Sequence, residues 1–226
     1  MRFRYIVLLL IVVLAGGEIT REAIRTLDEL RMVERGRDAW QRPDDVIASL
    51  NLSPGNTVED VGSGAGYFAL KLARMVGGRG AVFAVDTRAQ SLGFLWIRAR
   101  QEGLAAVRVM HRDAADAAAP NGVMLDGVLI ANTYHELTMP DRVLDLLFRS
   151  LRPGSRMVIL DRGPQSSADP SWRSGALEHE VPSDLVQQAV RSHGFEIVST
   201  DNRFIEGKPE RDDHWWLIVA RKSPSI

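Results

Sequence analysis

The sequence predicts an α/β domain built on a mostly parallel β-sheet. From residue 56 onward, short apolar runs typical of buried strands alternate with longer runs typical of helices. A glycine-rich turn follows the first strand, and polar residues end the strands after it. Strands separated by helices pair in parallel through crossovers, which are almost always right-handed. With 226 residues, the chain fits one such domain with an N-terminal appendage.

The predicted elements follow one another in a regular order. The first five strands are expected at residues 56–61, 81–86, 107–112, 126–132 and 156–162. Helices are expected at residues 66–76, 88–102, 140–151 and 182–193, and two last strands at 195–200 and 214–221. Between the helix 140–151 and the fifth strand, Pro153 and Gly154 indicate a turn over residues 151–155.

Composition excludes several classes of protein and site. A net charge of −1 argues against a nucleic-acid-binding protein, since such proteins carry a concentrated basic face. The chain has no cysteine, which excludes disulfides, thiolate metal sites and a cysteine nucleophile. The five histidines show no spacing typical of a metal site, so no metal is predicted. Nothing in the composition indicates an oligomeric state.

The most informative segment is the turn after the first strand. Three alternate glycines lead from an acidic residue into a helix, whose start offers unpaired N–H groups and a positive dipole end. Glycine is needed where the backbone takes a positive φ or approaches a ligand closely. The segment therefore predicts a ligand site. The alternative is a tight strand–helix turn with a purely structural role, which would have a similar sequence. Its candidate cofactor-binding residues are Asp60, Gly62, Ser63, Gly64, Gly66 and Tyr67.

The spacing of this turn indicates which ligand it takes. Dinucleotide sites read G-x-G-x-x-G, whereas this chain has Tyr67 at the last of those positions. Asp60 lies two residues before the first glycine, where a carboxylate suits a cationic amino group better than a pyrophosphate. S-adenosylmethionine has such an ammonium group and lacks phosphate. The same two residues disfavour a nicotinamide oxidoreductase.

Polar residues at the next strand ends support this interpretation. Asp86 ends the second strand, 20 residues after Gly66, where an acid can accept the hydroxyls of a ribose. Asp113 follows the third strand and Asn132 ends the fourth. Each of these residues taken singly is typical of a helix cap or a turn. Together with Asp60, however, they place a polar residue at the ends of four successive strands, which indicates one ligand site.

These motifs resemble those of the class I S-adenosylmethionine-dependent methyltransferases, whose first motif reads D/E-x-G-x-G-x-G. The likeness covers residues 40–222. It implies a Rossmann-like, doubly wound, mostly parallel seven-stranded sheet with an antiparallel C-terminal edge strand and helices on both faces. It also implies that Asp113 and Ala114 contact the adenine. The runs 40–43 (WQRP) and 133–136 (TYHE) resemble a small bacterial subgroup with an export-like N-terminus.

The implied function is methyl transfer from S-adenosylmethionine to a small-molecule acceptor by direct displacement. The donor brings its own leaving group, so the protein mainly supplies orientation, and a base only when the acceptor is protonated. His135 is the candidate base or acceptor-orienting residue, and its alternatives are helix capping or cofactor binding. Tyr134 is the second catalytic candidate or else a wall of the pocket. The alternative function is a non-catalytic S-adenosylmethionine-binding module.

The N-terminus predicts export or membrane attachment. After a basic start, Tyr5 to Ala15 form an apolar run of 11 residues, shorter than the ~20 that a membrane span needs. Residues 1–17 are therefore expected to be a signal peptide cleaved before Glu18, or an anchor attached through residues 5–17. Either would place the domain outside the cytoplasm, whereas an untranslocated interfacial segment would leave it inside, where S-adenosylmethionine is made. Residues 18–55 are expected to be a helical segment and 56–226 the methyltransferase domain.

Overall fold

The computed structural model describes residues 22, 24–116, 120, 122–164, 166–168, 179–205 and 214–223. The chain divides into two compact units, Met1–Gln41 and Arg42–Ile226. In the first unit, residues 24–41 are helical. The predicted signal peptide or anchor, 1–17, lies outside the described residues. Within the described ranges, no helix is both long and apolar enough to cross a membrane.

The second unit is built on a seven-stranded sheet. The strands are β1 (Thr57–Val61), β2 (Ala81–Asp86), β3 (Val107–His111), β4 (Leu125–Ala131), β5 (Leu151–Arg162), β6 (Phe195–Ile205) and β7 (Trp215–Lys222). Its described helices are α1 (Pro43–Ser49), α2 (Tyr67–Val76), α3 (Ala89–Gln101), α4 (Pro140–Ser150) and α5 (Ser183–Ser192). A single 3-10 turn, Tyr134–Glu136, lies between β4 and α4.

The strand order confirms the predicted fold class. The order is β3-β2-β1-β4-β5-β7-β6. Strands β1 to β5 run parallel, and β7 pairs antiparallel with both β5 and β6. The reversed strand is thus inserted next to the edge, and β6 is outermost. Since right-handed crossovers lead from β1 outward in one direction and from β4 in the other, the helices cover both faces.

The hydrophobic core on one face is contributed by α4 and α5. Buried positions recur at helical spacing in both helices, at Val143 and Leu147 in α4 and at Val186 and Val190 in α5. They pack against β4, β5 and β7, where Trp216 is fully buried and donates its indole N–H to the carbonyl of Val181 at 3.0 Å. This packing fixes the ends of β4 and β5, from which part of the candidate site is built.

Two predicted boundaries are wrong. The turn expected at 151–155 is part of β5, because Leu151 is fully buried and pairs with Leu125. Gly154 takes a φ of 83°, and the register shifts between Leu125 and Gly127, so the Pro-Gly pair becomes an irregularity within the strand. Strand β6 extends to Ile205 rather than ending at residue 200, because Ile205 is buried and pairs with the first residue of β7.

Candidate cofactor and acceptor site

The candidate site lies where the strand order reverses between β1 and β4. In open α/β sheets, ligands bind beyond the carboxyl ends of the strands at such a point. A crevice opens there, lined by residues that follow β1, β2, β3 and β4. Of the predicted cofactor residues, it brings together Gly62, Asp86, Asp113 and Ala114. The remaining predicted residues lie in β1, the glycine turn, the start of α2 and the segment after β4. None of them lines this crevice; they are Asp60, Ser63, Gly64, Gly66, Tyr67, Asn132, Tyr134 and His135.

Gly62 lets the end of β1 pack against the segment after β4. Its φ is 73°, and its amide donates to the carbonyl of Val85 at 2.8 Å. A Cβ on Gly62 would lie 2.2 Å from Oγ1 of Thr133, well inside contact distance. Glycine is therefore required here both by conformation and by packing.

Gly64 and Gly66 have different requirements. Gly64 has a φ of 54°, and a Cβ there would meet no described atom within 4 Å, so its conformation rather than packing favours glycine. Gly66 caps α2 with a φ of 98°, and its Cβ would lie 2.3 Å from Cδ1 of Leu95. The buried guanidinium of Arg98 donates to the carbonyl of Ala65 at 2.7 Å, which holds the turn between these glycines.

Tyr67 begins α2 with its side chain turned into the core. The ring is 6% exposed and packs edge-on against Phe68, with centroids 4.8 Å apart. The amino group of Lys71 lies 4.9 Å from the centre of the same ring. If Tyr67 contacts the cofactor, it therefore does so through its backbone. This contact remains a prediction.

Asp86 ties the glycine turn to the end of β2. One carboxylate oxygen accepts the amide of Gly64 at 2.8 Å, and the other accepts the amide of Arg88 at 2.7 Å. The side chain is only 3% exposed, yet it lines the crevice. Oδ1, the oxygen that accepts the amide of Arg88, also accepts a hydrogen bond from Nε of Arg88 at 3.3 Å, so the second lone pair of Oδ2 remains available for a ribose hydroxyl. The predicted ribose contact is compatible with this geometry and is tested below.

Two acids lie side by side in β1. Asp60, the predicted partner of a cationic amino group, is 2% exposed. Glu59 lies between Phe83 of β2 and Val128 of β4 and is fully buried. No donor in the described part of the chain hydrogen-bonds either carboxylate oxygen of Glu59. Burial raises the pKa of Glu59 well above its ordinary value; the positive charge of Arg112 opposes this rise and the negative charge of Asp60 adds to it.

Asp113 and Ala114 form the crevice wall after β3. Asp113 is half-buried, and its Oδ1 accepts the amide of Ala115 at 2.8 Å, so the residue also caps its own turn. Ala114 is buried behind it. Both residues line the crevice, as does Arg112, which the sequence did not suggest as a site residue. The adenine contact itself stays a prediction.

Asn132 marks the end of β4 with a strained conformation. Its φ of 55° is in the left-handed region, which a non-glycine residue seldom adopts outside functional positions. Its amide donates to the carbonyl of Leu160 at 2.7 Å. Two buried oxygens, Oδ1 of Asn132 and Oγ of Ser63, have no hydrogen-bond partner within the ranges that the structure describes. They lie on either side of the switch point, so this region suits a polar ligand.

His135 is held by the buried carboxylate of Asp161. Its Nδ1 lies 2.8 Å from Oδ1 of Asp161, and its backbone amide donates to Oδ2 at 3.1 Å. The side chain of Asp161 is fully buried at the end of β5 and also accepts the amide of Arg162 at 2.9 Å. A carboxylate can only accept, so Nδ1 carries the proton and Nε2 carries the lone pair. Asp161, which was not predicted, thus sets the tautomer of the predicted histidine.

Tyr134 lies on the inner side of the same 3-10 turn. Its side chain belongs to the hydrophobic core with α4, and only 7% of the residue is exposed. Burial, together with the negative charges of Asp141 and Asp161, raises the pKa of Tyr134 to about 12. The phenol therefore stays protonated, which disfavours proton transfer by Tyr134, and the ring packs in the core rather than lining the crevice.

Sequence and structure comparisons identify relatives of this chain. A family model described as a methyltransferase domain matches residues 52–209. A ubiquinone/menaquinone biosynthesis C-methyltransferase of Vibrio campbellii is 29% identical over 109 residues, covering 48% of this chain and 42% of that protein. An arsenite methyltransferase of Aquipseudomonas alcaligenes is 31% identical over 173 residues, covering 70% of this chain and 48% of that protein. The chain thus spans less than half of the length of either curated relative.

A solved structure agrees with these sequence matches. A SAM-dependent methyltransferase from Aquifex aeolicus is 26% identical and superposes with a TM-score of 0.65, covering 80% of this chain and 89% of that one. The family match includes β1 to β5 and the whole crevice described above. The chain therefore belongs to the methyltransferase-domain family, within the class I S-adenosylmethionine-dependent methyltransferases.

Proposed function

We propose that this protein transfers a methyl group from S-adenosylmethionine to a small-molecule acceptor. The observation that carries the proposal is the pairing of His135 with Asp161 beside a crevice built on the glycine turn. The pair presents a fixed imidazole lone pair at the same edge of the sheet at which the family binds its cofactor. A protein that only held the cofactor would not need this second, oriented group.

The residues around the crevice fit this cofactor. S-adenosylmethionine supplies an activated methyl group and a sulfur that keeps the bonding electron pair when the methyl leaves. Asp86 would accept a ribose hydroxyl, and Asp113 with Ala114 would contact the adenine. The side-chain oxygen of Asn132, which has no partner among the described residues, would offer a further polar contact to the amino-acid part. These residues bind and orient; none of them takes part in bond formation.

On the acceptor side, His135 orients the group to be methylated. Its Nε2 can accept a hydrogen bond from a hydroxyl or amine of the acceptor, which directs the acceptor lone pair toward the methyl carbon. The buried ring of Tyr134 packs in the core on the inner side of the 3-10 turn that carries His135. Glu136 lines the crevice and is half exposed, so the acceptor enters past a carboxylate.

The relatives suggest two acceptor classes that a screen can separate. One is a carbon atom of a compound in ubiquinone or menaquinone biosynthesis, and the other is arsenite. Arsenic is a soft centre that prefers thiolates, and this chain has no cysteine. We therefore favour an organic acceptor over arsenite, and we include both in the screen.

The proposal is tested with the full chain. Label transfer from methyl-labelled S-adenosylmethionine is measured against hydroxyl, amine and quinone-ring acceptors and arsenite, beside calorimetric binding of the cofactor. Binding together with transfer to one acceptor class supports the proposal. A folded protein that does not bind the cofactor would overturn it. Binding without transfer to any class would instead support the non-catalytic module.

A further inference from the structure

We propose that His135, Glu136 and His179 form a binding site for a divalent transition metal ion such as Zn²⁺. The proposal deepens the proposed function, on which its catalytic meaning rests, because the ion would lie on the acceptor side of the crevice. Metal binding itself does not depend on S-adenosylmethionine. The histidine spacing in the sequence gave no indication of such a site, since His179 is brought in from beyond β5.

The three side chains place their donor atoms close together. One donor atom of each residue lies within 4.8 Å of the other two. Nε2 of His135 is 3.7 Å from Oε1 of Glu136, and the rings of His135 and His179 are 5.7 Å apart at an angle of 81°. In a tetrahedral zinc site with bonds of about 2.0–2.1 Å, donor atoms lie about 3.4 Å apart. The observed separations, at most 4.8 Å, need to close by at most about 1.4 Å, which the exposed side chains of Glu136 and His179 achieve by rotation while His135 stays in place.

One ligand of this site is already oriented. Metal-bound histidines usually donate their second ring N–H to a carboxylate, which fixes the orientation of the ring. Asp161 does this for His135: its Oδ1 lies 2.8 Å from Nδ1, and the two side chains are 0% and 2% exposed. The lone pair of Nε2 is thereby directed to the side where Glu136 lies.

The next residue along β5 holds the third ligand. The side-chain Nε of Arg162 donates to the backbone carbonyl of His179 at 2.7 Å. Asp161 and Arg162, consecutive at the carboxyl end of β5, thus position both histidines. An incidental cluster of surface side chains would not need support from two adjacent residues of a buried strand.

The donor set suits one class of ion. Two imidazoles and one carboxylate favour zinc and similar transition metals over calcium or magnesium, which prefer oxygen ligands. Three protein ligands also leave one coordination position open, as in catalytic zinc sites. Because Glu136 lines the cofactor crevice, the open coordination position of the ion would face the crevice, where the acceptor would bind. It could hold an oxygen or nitrogen atom of the acceptor.

The site is tested on the tag-free full chain, stripped of metal with a chelator. Zn²⁺ is titrated by calorimetry, and Co²⁺ is used as a probe because tetrahedral Co²⁺ gives a strong visible band. We expect one equivalent to bind, and His179→Ala and Glu136→Gln each to weaken binding at least tenfold. His111→Ala, which removes an exposed imidazole at the end of β3, serves as the matched control and should leave the affinity unchanged.

Cofactor binding in the same samples separates the two proposals. Absence of saturable Zn²⁺ binding in a protein that still binds S-adenosylmethionine would overturn the metal site and leave the methyltransferase proposal standing. Zinc affinity that is unchanged in both His179→Ala and Glu136→Gln would also overturn it. Loss in these two variants, with retention in His111→Ala, would establish it.

Discussion

Asp161 accepts two hydrogen bonds from His135, one from the ring at 2.8 Å and one from the backbone amide at 3.1 Å. The two residues are 26 positions apart, and the parallel pairing of β4 with β5 brings them together. We predict that Asp161→Asn disturbs the ring tautomer, because an amide can donate as well as accept. Turnover should fall about 10–100-fold, while cofactor affinity changes little.

Side-chain nitrogen NMR of the metal-free protein tests this relationship without a known acceptor. His135 should carry its proton on Nδ1 in the wild type and lose this preference in Asp161→Asn. Observation of the Nε2–H tautomer in the wild-type protein would contradict the assignment. His193 provides the internal reference, because its Nδ1 lies 2.7 Å from the carbonyl of Ala189.

Gly62 and Gly64 should respond differently to alanine. A Cβ at Gly62 would lie 2.2 Å from Thr133 in a backbone of positive φ, so both costs add and Gly62→Ala should destabilise the fold by about 2–5 kcal/mol. At Gly64 there is space but the φ is also positive, so the cost should be smaller, about 1–2 kcal/mol. Urea unfolding measures both. Equal losses of unfolding free energy in the two variants would show that the contact with Thr133 is not the reason that glycine is required at position 62.

Glu59 should make the protein less stable as the pH rises. Its folded-state pKa lies well above the ordinary 4.5, so between these two values the folded state binds more protons than the unfolded state. The free energy of unfolding therefore falls with rising pH through this window. Glu59→Gln keeps the shape without the charge, and should be more stabilising at pH 8 than at pH 5.

Urea unfolding at the two pH values tests this prediction. Glu196→Gln is the control, because Glu196 is half exposed in β6. A pH dependence that is identical in wild type and Glu59→Gln would mean that Glu59 is not a source of pH-dependent instability. A pH dependence changed equally by the control would point to general surface charge instead.

The N-terminal prediction concerns residues outside the described ranges. We expect native protein to begin at Glu18 and to be recovered outside the cytoplasm, or to keep residues 1–17 and sediment with membranes. Intact-mass measurement of each cell fraction decides between them. Full-length protein confined to the soluble cytoplasmic fraction would contradict both, and would leave the domain where its cofactor is made.

Sequence patterns predict the polar residues at strand ends better than the contacts around His135. Asp86, Asp113 and Asn132 each directly follow or end a strand, so a local pattern is sufficient to find them. Asp161 also ends a strand, but its role depends on the pairing of β4 with β5, which no local pattern shows. His179 is even further from His135 along the sequence than Asp161 is. No local pattern shows that the two histidine rings lie 5.7 Å apart.

The fold was predictable for a related reason. Alternation of apolar runs reveals the strands β1 to β5, and the resemblance of the motifs implies the doubly wound, mostly parallel sheet. The turn expected at 151–155 failed because Pro153 and Gly154 are locally typical of a turn, whereas burial of Leu151 against Leu125 is a tertiary effect. The left-handed backbone of Asn132 was likewise invisible, since asparagine at a strand end is compatible with many conformations.

The most direct test of the central claim is calorimetric titration of S-adenosylmethionine into wild-type protein, Asp86→Asn and Asp116→Asn. Asp86 lines the crevice, whereas Asp116 is exposed and lies outside its lining. We predict saturable one-to-one binding by the wild type and Asp116→Asn, and binding at least tenfold weaker in Asp86→Asn while the fold is retained. No binding by the folded wild type, or equal affinity in all three proteins, would contradict the proposed cofactor site.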